Sequence, residues 1–232
     1  MKRIDESVAR RLLTVVDAGL CSGIGQPIPG QMCVEAAVCY ALGQPHGDNP
    51  ECVAPVLRSL KIRLNDSLWS SNEARAKGMR RLAVAQLGSA GVLDEAEFRK
   101  RVVTLAIQVY VPMALRAAAG MKRNAAHKDA LEAAAAACEN EPTRHNALQA
   151  RAAADAADAA AYADAADAAD AAAHAAAAAA AADAAAAADA AAAAYAAAER
   201  DRVLANYAER IVQILIDMNA PGCQWLWLTE AA

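Results

Sequence analysis

Aromatic residues are scarce in this 232-residue chain, which has one phenylalanine, three tryptophans and five tyrosines. The other large apolar residues fall mostly in residues 4–121 and 203–228, so these two segments are expected to supply the core. The chain also begins without the apolar run of a secretory signal peptide. We therefore expect a cytoplasmic protein whose six cysteines are free thiols.

Neither a membrane span nor a strongly basic surface is indicated. The most apolar window, residues 102–121, contains Gln108, Pro112 and Arg116, which favours a buried helix over a membrane helix. The net charge is −4, but seven of the 27 acidic residues lie in one alanine-rich tract, which leaves 23 basic and 20 acidic residues elsewhere. This near balance predicts no membrane partner and makes nucleic acid a weaker candidate than a small anionic ligand or a protein.

The alanine-rich tract, residues 152–198, lacks glycine, proline, lysine and arginine, and 37 of its 47 residues are alanine. Alanine is the best helix former, so the tract is predicted to be helical. A single helix over residues 143–219 would reach roughly 115 Å at about 1.5 Å per residue, and the alternative is a helix that folds back. The aspartates change faces along such a helix, so the tract has no coiled-coil stripe. We expect its alanine surface to contact another copy of the chain in a homo-oligomer.

Apolar residues recur at helical spacing through the rest of the chain, and no segment alternates with the period of a strand. The sequence therefore predicts an all-α fold with an N-terminal multi-helix domain followed by a long alanine-rich helical region. The expected boundaries are a helical domain over residues 1–121, a helical connector over 122–142, and the alanine-rich helix with a C-terminal amphipathic helix over 143–232.

Local signals mark the ends of several helices. Ser70 and Glu73 have the spacing of a capping box. Asp94 is expected to cap the next helix, and Pro112 is expected to kink it. Near the end of the chain, Trp225 follows an amphipathic helix in a segment that is expected either to pack back on the protein or to join two chains.

The most site-like composition is in residues 21–30, which hold three glycines and two prolines. A glycine-rich loop before a helix can present amide groups to an anion. This loop has neither the spacing nor the lysine of a P-loop, and the alternative is a tight turn between two helices. Cys33 follows it, in the expected first turn of a helix, where the helix dipole lowers a thiol pKa.

The run Gln31-Met32-Cys33, with AAVCYALG after it, is similar to the nucleophile helix of papain-like peptidases. The resemblance implies a cysteine hydrolase in which Cys33 attacks and His46 or His127 is the base. Papain-like folds place that histidine on a sheet, whereas this chain has no strand pattern. The alternative is that Cys33 is a small buried core residue.

No metal or cofactor site is predicted. Cys21, Cys33, Cys39, Cys52 and His46 could form a zinc set by residue type, but they include no C-x-x-C pair of the kind typical of zinc sites. Cys33 and Cys39 are six residues apart, so on a helix they would point in different directions.

Positive charge is concentrated in residues 53–93, which hold seven lysine or arginine residues against two acidic ones. Such a cluster is a candidate site for a phosphate-bearing or other small anionic ligand, and a solvated helix face is the alternative. Together with residues of the two preceding loops, the candidate ligand-binding residues are Gln31, His46, Asp48, Arg58, Lys61, Arg63, Trp69, Arg80 and Arg81.

Several segments resemble uncharacterised proteins encoded by bacteriophages and prophages. These segments are GQMCVEAAVCYALGQPHGDNPECVAP (30–55), LKIRLND (60–66), RRLAVAQLGSAGVLDE (80–95), the alanine-rich tract and VQILIDMNAPGCQWL (212–226). The resemblance implies the cytoplasm of a bacterial host as the setting, and it implies no activity. We therefore expect a non-enzymatic binding or assembly protein that holds a small anionic ligand or a host protein. The alternatives are a structural spacer with the tract as a rod, and the cysteine hydrolase.

Overall fold

A computed structural model describes residues 4–160 and 197–230 of the chain. Within these residues the all-α prediction is confirmed, since the only extended pairing is one isolated antiparallel bridge between Gly25 and Met32. The predicted continuous helix over 143–219 includes residues 161–196, which lie outside the described residues, so its continuity stays a prediction.

The described helices are numbered in chain order. They are α1 (Glu6–Asp17), α2 (Val34–Leu42), α3 (Pro55–Asp66), α4 (Asn72–Ala85), α5 (Glu95–Leu105), α6 (Val111–Ala119), α7 (Lys128–Asn140), α8 (Arg144–Ala160) and α9 (Ala197–Asp217). A π-helical turn over Ala106–Tyr110 joins α5 to α6, and two 3-10 segments cover Lys122–His127 and Pro221–Thr229.

The chain divides into two compact units. Unit 1 comprises Met1–Arg99 with Leu204–Ala232, and unit 2 comprises Lys100–Val203. The C-terminal 3-10 segment packs against α1 and α4. The end of the chain therefore belongs to the same unit as its beginning.

Helix α2 lies at the centre of unit 1. Of its nine residues only Tyr40 is exposed, and α1, α3 and α4 all pack against it. The helix is almost entirely apolar, so its interior position is the one that buries most apolar area. Glu35 is the one charged residue in α2, and this packing places its side chain in the interior.

The approach of the C-terminal segment to α4 depends on a glycine. A Cβ atom at Gly222 would lie 2.5 Å from the carbonyl oxygen of Val84 and 2.6 Å from that of Ala85. Both are backbone atoms that cannot rotate away, so only glycine allows this contact. Leu226 and Leu228 are buried in the same segment, whereas Trp227 is 50% exposed beside the Arg10 guanidinium.

One of the predicted helix signals needs correction. Ser71, rather than Ser70, caps α4, because its hydroxyl accepts a hydrogen bond from the Ala74 amide at 3.1 Å. Pro112 lies just after a π-helical turn in which the Val111 amide bonds to the Ala106 carbonyl, since proline has no N–H with which to continue the regular pattern.

The predicted cap at Asp94 is confirmed. Its carboxylate accepts hydrogen bonds from the amides of Ala96 at 3.1 Å and Glu97 at 3.0 Å. The segment Glu95–Ala119 is long and apolar enough to cross a membrane, but 56% of its most apolar window is buried inside the protein. The core helix of a soluble protein meets the same criteria, and the burial favours that reading.

Unit 2 is held together by contacts between consecutive helices. α6 packs against α7, and α7 packs against α8. Arg116 on α6 forms ion pairs with Glu132 and Glu139 on α7, and these side chains are about two-fifths exposed.

Candidate functional site

The loop between α1 and α2 forms a tight turn, which the sequence offered as the alternative to an anion-binding loop. The Cys21 amide donates to the Met32 carbonyl at 3.0 Å, and the Gln26 amide donates to the Gln31 carbonyl at 2.7 Å. Gly25 has a φ of +69°, and a Cβ atom there would lie 1.9 Å from the Gln31 carbonyl oxygen, so glycine is required.

Two side chains at the end of α3 fix this loop in place. The Asn65 carbonyl oxygen accepts from the Val34 amide at 3.2 Å, and its amide group donates to the Cys21 carbonyl at 2.9 Å. The Asp66 carboxylate accepts from the Gly23 amide at 2.7 Å. Neither residue is among the predicted ligand-binding candidates. Both lie more than 30 residues from their partners in the sequence, so no local pattern indicated these contacts.

The start of α2 does not present free amides to an anion in the way the glycine-rich loop suggested. Asn65 occupies the Val34 amide, and the Cys33 sulfur accepts from the Ala36 amide at 3.3 Å. The helix begins at Val34, because Gln31 and Met32 belong to the turn. Cys33 is therefore the N-cap residue of α2 rather than part of its first turn.

The predicted lowering of the Cys33 thiol pKa is wrong. Cys33 is 5% exposed, and burial raises the pKa of its thiol because the thiolate would lose its hydration; hydrogen bonds from the amides at the helix start only partly offset this. His46 is exposed, and its Nε2 lies 3.1 Å from the Gly25 carbonyl, to which it donates in the tautomer protonated at that nitrogen. Cys33 thus has the character of a core thiol, and His46 serves to tie two loops together.

Arg80 and Arg81 are engaged within unit 1. The Arg80 guanidinium donates to the Asp17 carboxylate at 2.6 Å and 3.0 Å and to the Thr229 carbonyl at 2.6 Å. Arg81 donates to the Glu209 carboxylate at 3.0 Å. These two arginines, predicted to bind a ligand, instead connect α4 to α1 and to the C-terminal part of the chain.

The other members of the predicted basic site are also separated by the fold. Trp69 is 7% exposed, and its indole N–H donates to the Leu64 carbonyl at 2.8 Å, so it is a core residue. Arg58 donates to the Asn49 side chain, and Arg63 lies exposed on α3. The cluster therefore does not form one anion-binding face.

Lys61, also predicted to contact a ligand, lies wholly in the interior. Its Nζ is 2.8 Å from a Glu35 carboxylate oxygen, and both side chains are 0% exposed. Beyond this ion pair, neither side chain has a hydrogen bond among the described residues. Burial raises the pKa of Glu35 and lowers the pKa of Lys61, because each charge loses its hydration, and the attraction between the two opposes both shifts.

A small cleft opens between the α1–α2 loop, the start of α2 and the end of α3. Its volume is about 40 Å³, enough for a few water molecules or a small ligand group. Its lining residues are Gly23, Ile24, Cys33, Val34, Glu35, Asp48, Ile62, Asn65 and Asp66.

The lining includes three acidic residues that are distant in sequence, Glu35, Asp48 and Asp66, and the side chain of Glu35 is 0% exposed. No lysine, arginine or histidine is among its lining residues. Of the sequence-predicted candidates, only Asp48 and Cys33 line it, while Gln31 is exposed on the adjoining turn.

In residues 4–160 and 197–230, no group of three or more histidine, cysteine, aspartate or glutamate side chains is placed to hold a metal ion.

Comparisons with models of protein families, with curated proteins and with solved structures found no match to this chain.

Proposed function

We propose that this is a non-enzymatic binding protein of the phage or prophage type, and that the cleft beside Glu35 is its ligand site. The carrying observation is Glu35, a residue of the cleft lining whose side chain is 0% exposed; its carboxylate pairs with Lys61 and has no other hydrogen bond among the described residues. Buried polar groups are nearly always hydrogen-bonded. A ligand that displaces the side chains covering this carboxylate and donates to it would supply the missing contact.

The chemistry of the neighbouring groups supports binding rather than covalent catalysis. The thiolate, not the thiol, is the nucleophilic form of cysteine, and the raised pKa of Cys33 keeps it as a thiol near neutral pH. Its sulfur is also occupied as the N-cap of α2.

The residues that line the cleft favour a different class of ligand from the one that the sequence predicted. The sequence favoured an anionic ligand, but no cationic side chain lines the cleft. Arg80 and Arg81 are already paired with carboxylates. The site therefore favours a ligand that carries hydrogen-bond donors.

The proposal is tested by nuclear magnetic resonance on the full chain, with the backbone amide of Gly23 as reporter. Butylammonium, 1-butanol and butyrate are titrated separately, and we expect at least one of them to shift the Gly23 resonance in a saturable way. The Asp48→Asn variant should weaken that binding, whereas Asp129→Asn, the same change on an exposed residue of unit 2, should not. If none of the three probes shifts Gly23, the proposed function is overturned.

A further inference from the structure

The shape of the cleft depends on the relative position of two walls that are distant in the sequence. The α1–α2 loop contributes Gly23 and Ile24 to one wall, and α3 contributes Ile62 and Asn65 to the other. The volume is about 40 Å³, so a displacement of either wall by about 1 Å would change what fits between them. Contacts outside the cleft therefore decide whether the two walls are held at a fixed separation.

Arg75 on α4 contacts both walls and is not among the lining residues. Its Nε donates to the Asn65 carbonyl at 2.7 Å, and its Nη1 donates to the Leu20 carbonyl at 3.0 Å. Arg75 is 6% exposed, so water does not compete for these hydrogen bonds. One buried guanidinium therefore joins the first part of the α1–α2 loop to the end of α3.

Asn65 passes this contact on to the cleft. Its backbone carbonyl is held by Arg75, while its side-chain carbonyl accepts from the Val34 amide at 3.2 Å. The next residue, Asp66, accepts from the Gly23 amide at 2.7 Å. A shift of the α3 backbone at this point would move the acceptors of both amides, and with them the start of α2 and the loop.

An arginine is suited to this contact in a way that a lysine is not. The nitrogens of a guanidinium donate in fixed directions within one plane, so one side chain can hold two carbonyls at a set separation, whereas an ammonium is a point charge on a flexible stem. The Asn65 carbonyl lies in the last turn of α3, where the helix dipole favours a cation. The Asn72 side chain accepts a further bond from Nη1 at 2.7 Å and so orients the guanidinium.

We propose that Arg75 is a positioning residue of the cleft. It sets the separation of the α1–α2 loop and α3 by holding the carbonyls of Leu20 and Asn65, and it thereby shapes a site that it does not line. This inference rests on the proposed binding function and names a residue that organises its site from outside.

Amide hydrogen exchange, measured by nuclear magnetic resonance on the full chain, tests the positioning role without any ligand. Arg75→Lys keeps the charge but loses the fork, and it should speed exchange at the Gly23 and Val34 amides by at least about tenfold, the value of a hydrogen bond to a charged group. The Gln86 amide, which donates to the Leu82 carbonyl at 3.3 Å in the buried end of α4, is the reference. A general loss of stability would speed all three amides equally.

Two further variants separate the positioning role from other effects of the substitution. Arg80→Lys is the matched control, because Arg80 lies on the same helix but pairs with Asp17 on α1 instead of contacting the walls of the cleft. It should leave the Gly23 exchange unchanged relative to Gln86. Asn72→Ala removes one acceptor of Arg75 and keeps the guanidinium, so it should speed Gly23 exchange roughly two- to tenfold even if Arg75→Lys does not fold.

The ligand titration is then repeated on the variants. The probe that shifts Gly23 in the wild type should bind Arg75→Lys more weakly than it binds Arg80→Lys, and equal affinities would overturn the inference. Exchange at Gly23 and Val34 that follows Gln86 in every variant would also overturn it. If no probe binds the wild type but the exchange rates change as expected, the proposed function falls while Arg75 still holds the two walls.

Discussion

Replacing Lys61 by methionine would leave the Glu35 carboxylate in the interior of unit 1 without its partner. Both side chains are 0% exposed, and their charged atoms are 2.8 Å apart, so no water can take the place of the lost ammonium without repacking. Removing one partner of such a pair destabilises a protein by about 3–5 kcal/mol. Methionine is the substitute of choice because its linear apolar chain fills most of the lysine volume.

Replacing both partners should give a different result. With methionine at positions 35 and 61 the interior contains no charge, and neither residue has to be desolvated on folding. Substitutions of this kind range from neutral to a stabilisation of about 1–4 kcal/mol. The losses of stability in the single variants Glu35→Met and Lys61→Met should therefore not add in the double variant. The double variant should be at least as stable as the wild type.

Tryptophan fluorescence reports on the unfolding of unit 1. The chain has three tryptophans, Trp69, Trp225 and Trp227, and all belong to unit 1. Urea titrations followed by tryptophan fluorescence therefore report on the unit that contains the ion pair. Arg116→Met is the matched control, since Arg116 pairs on a partly exposed surface and should cost about 1 kcal/mol or less.

Two results would refute this reasoning. One is a loss below about 1 kcal/mol for Lys61→Met, which is the value for a solvent-exposed pair. The other is a double variant whose loss equals the sum of the two single losses, because independent sites add and coupled ones do not.

Three further outcomes are expected. Burial already raises the pKa of Glu35 above 4.5, and Lys61→Met removes the attraction to Lys61 that lowers it, so the folded state binds the proton more tightly than the unfolded state. Relative to the double variant, the stability of Lys61→Met should therefore rise as the pH falls towards 4.5 and be lost as the pH rises. Urea titrations at several pH values measure this difference. Gly222→Ala should lower the free energy of unfolding by about 1–3 kcal/mol, because the new methyl group clashes with backbone carbonyls of α4. The control Gly47→Ala should lower it far less, because a Cβ atom there meets only one distant atom. Equal urea midpoints for the two variants would contradict the close contact. Cys33 should be alkylated by iodoacetamide more slowly in the native chain than in urea, as measured by peptide mass mapping, and faster native alkylation would restore the reactive-thiol hypothesis.

Features that depend on neighbouring residues were predictable. The helical spacing of apolar residues and the absence of strand-period segments led to the all-α assignment, which the described residues confirm. Asp94 caps its helix as expected, because an N-cap needs only amides two or three residues ahead. The capping prediction at Ser70 was wrong by one residue, because Ser70 and Ser71 are adjacent serines with the same local sequence signal.

The candidate site was only partly predictable. The sequence directed attention to the loops at 21–30 and 44–51, and Asp48 does line the cleft. It gave no indication that Asn65 and Asp66 hold the first loop, since these residues lie 31 to 44 positions from their partners.

The sequence by itself determined the helices, the tight turn before α2 and the concentration of alanine, since all of these follow from residues close in the chain. Only the tertiary structure decided which charges are buried. Lys61 and Arg80 belong to the same basic run, yet Lys61 reaches a carboxylate on α2 in the interior while Arg80 reaches Asp17 and Thr229 near the surface. A lysine or arginine side chain is hydrated in the unfolded chain, and the packing of distant helices decides whether it stays hydrated or is buried against a partner.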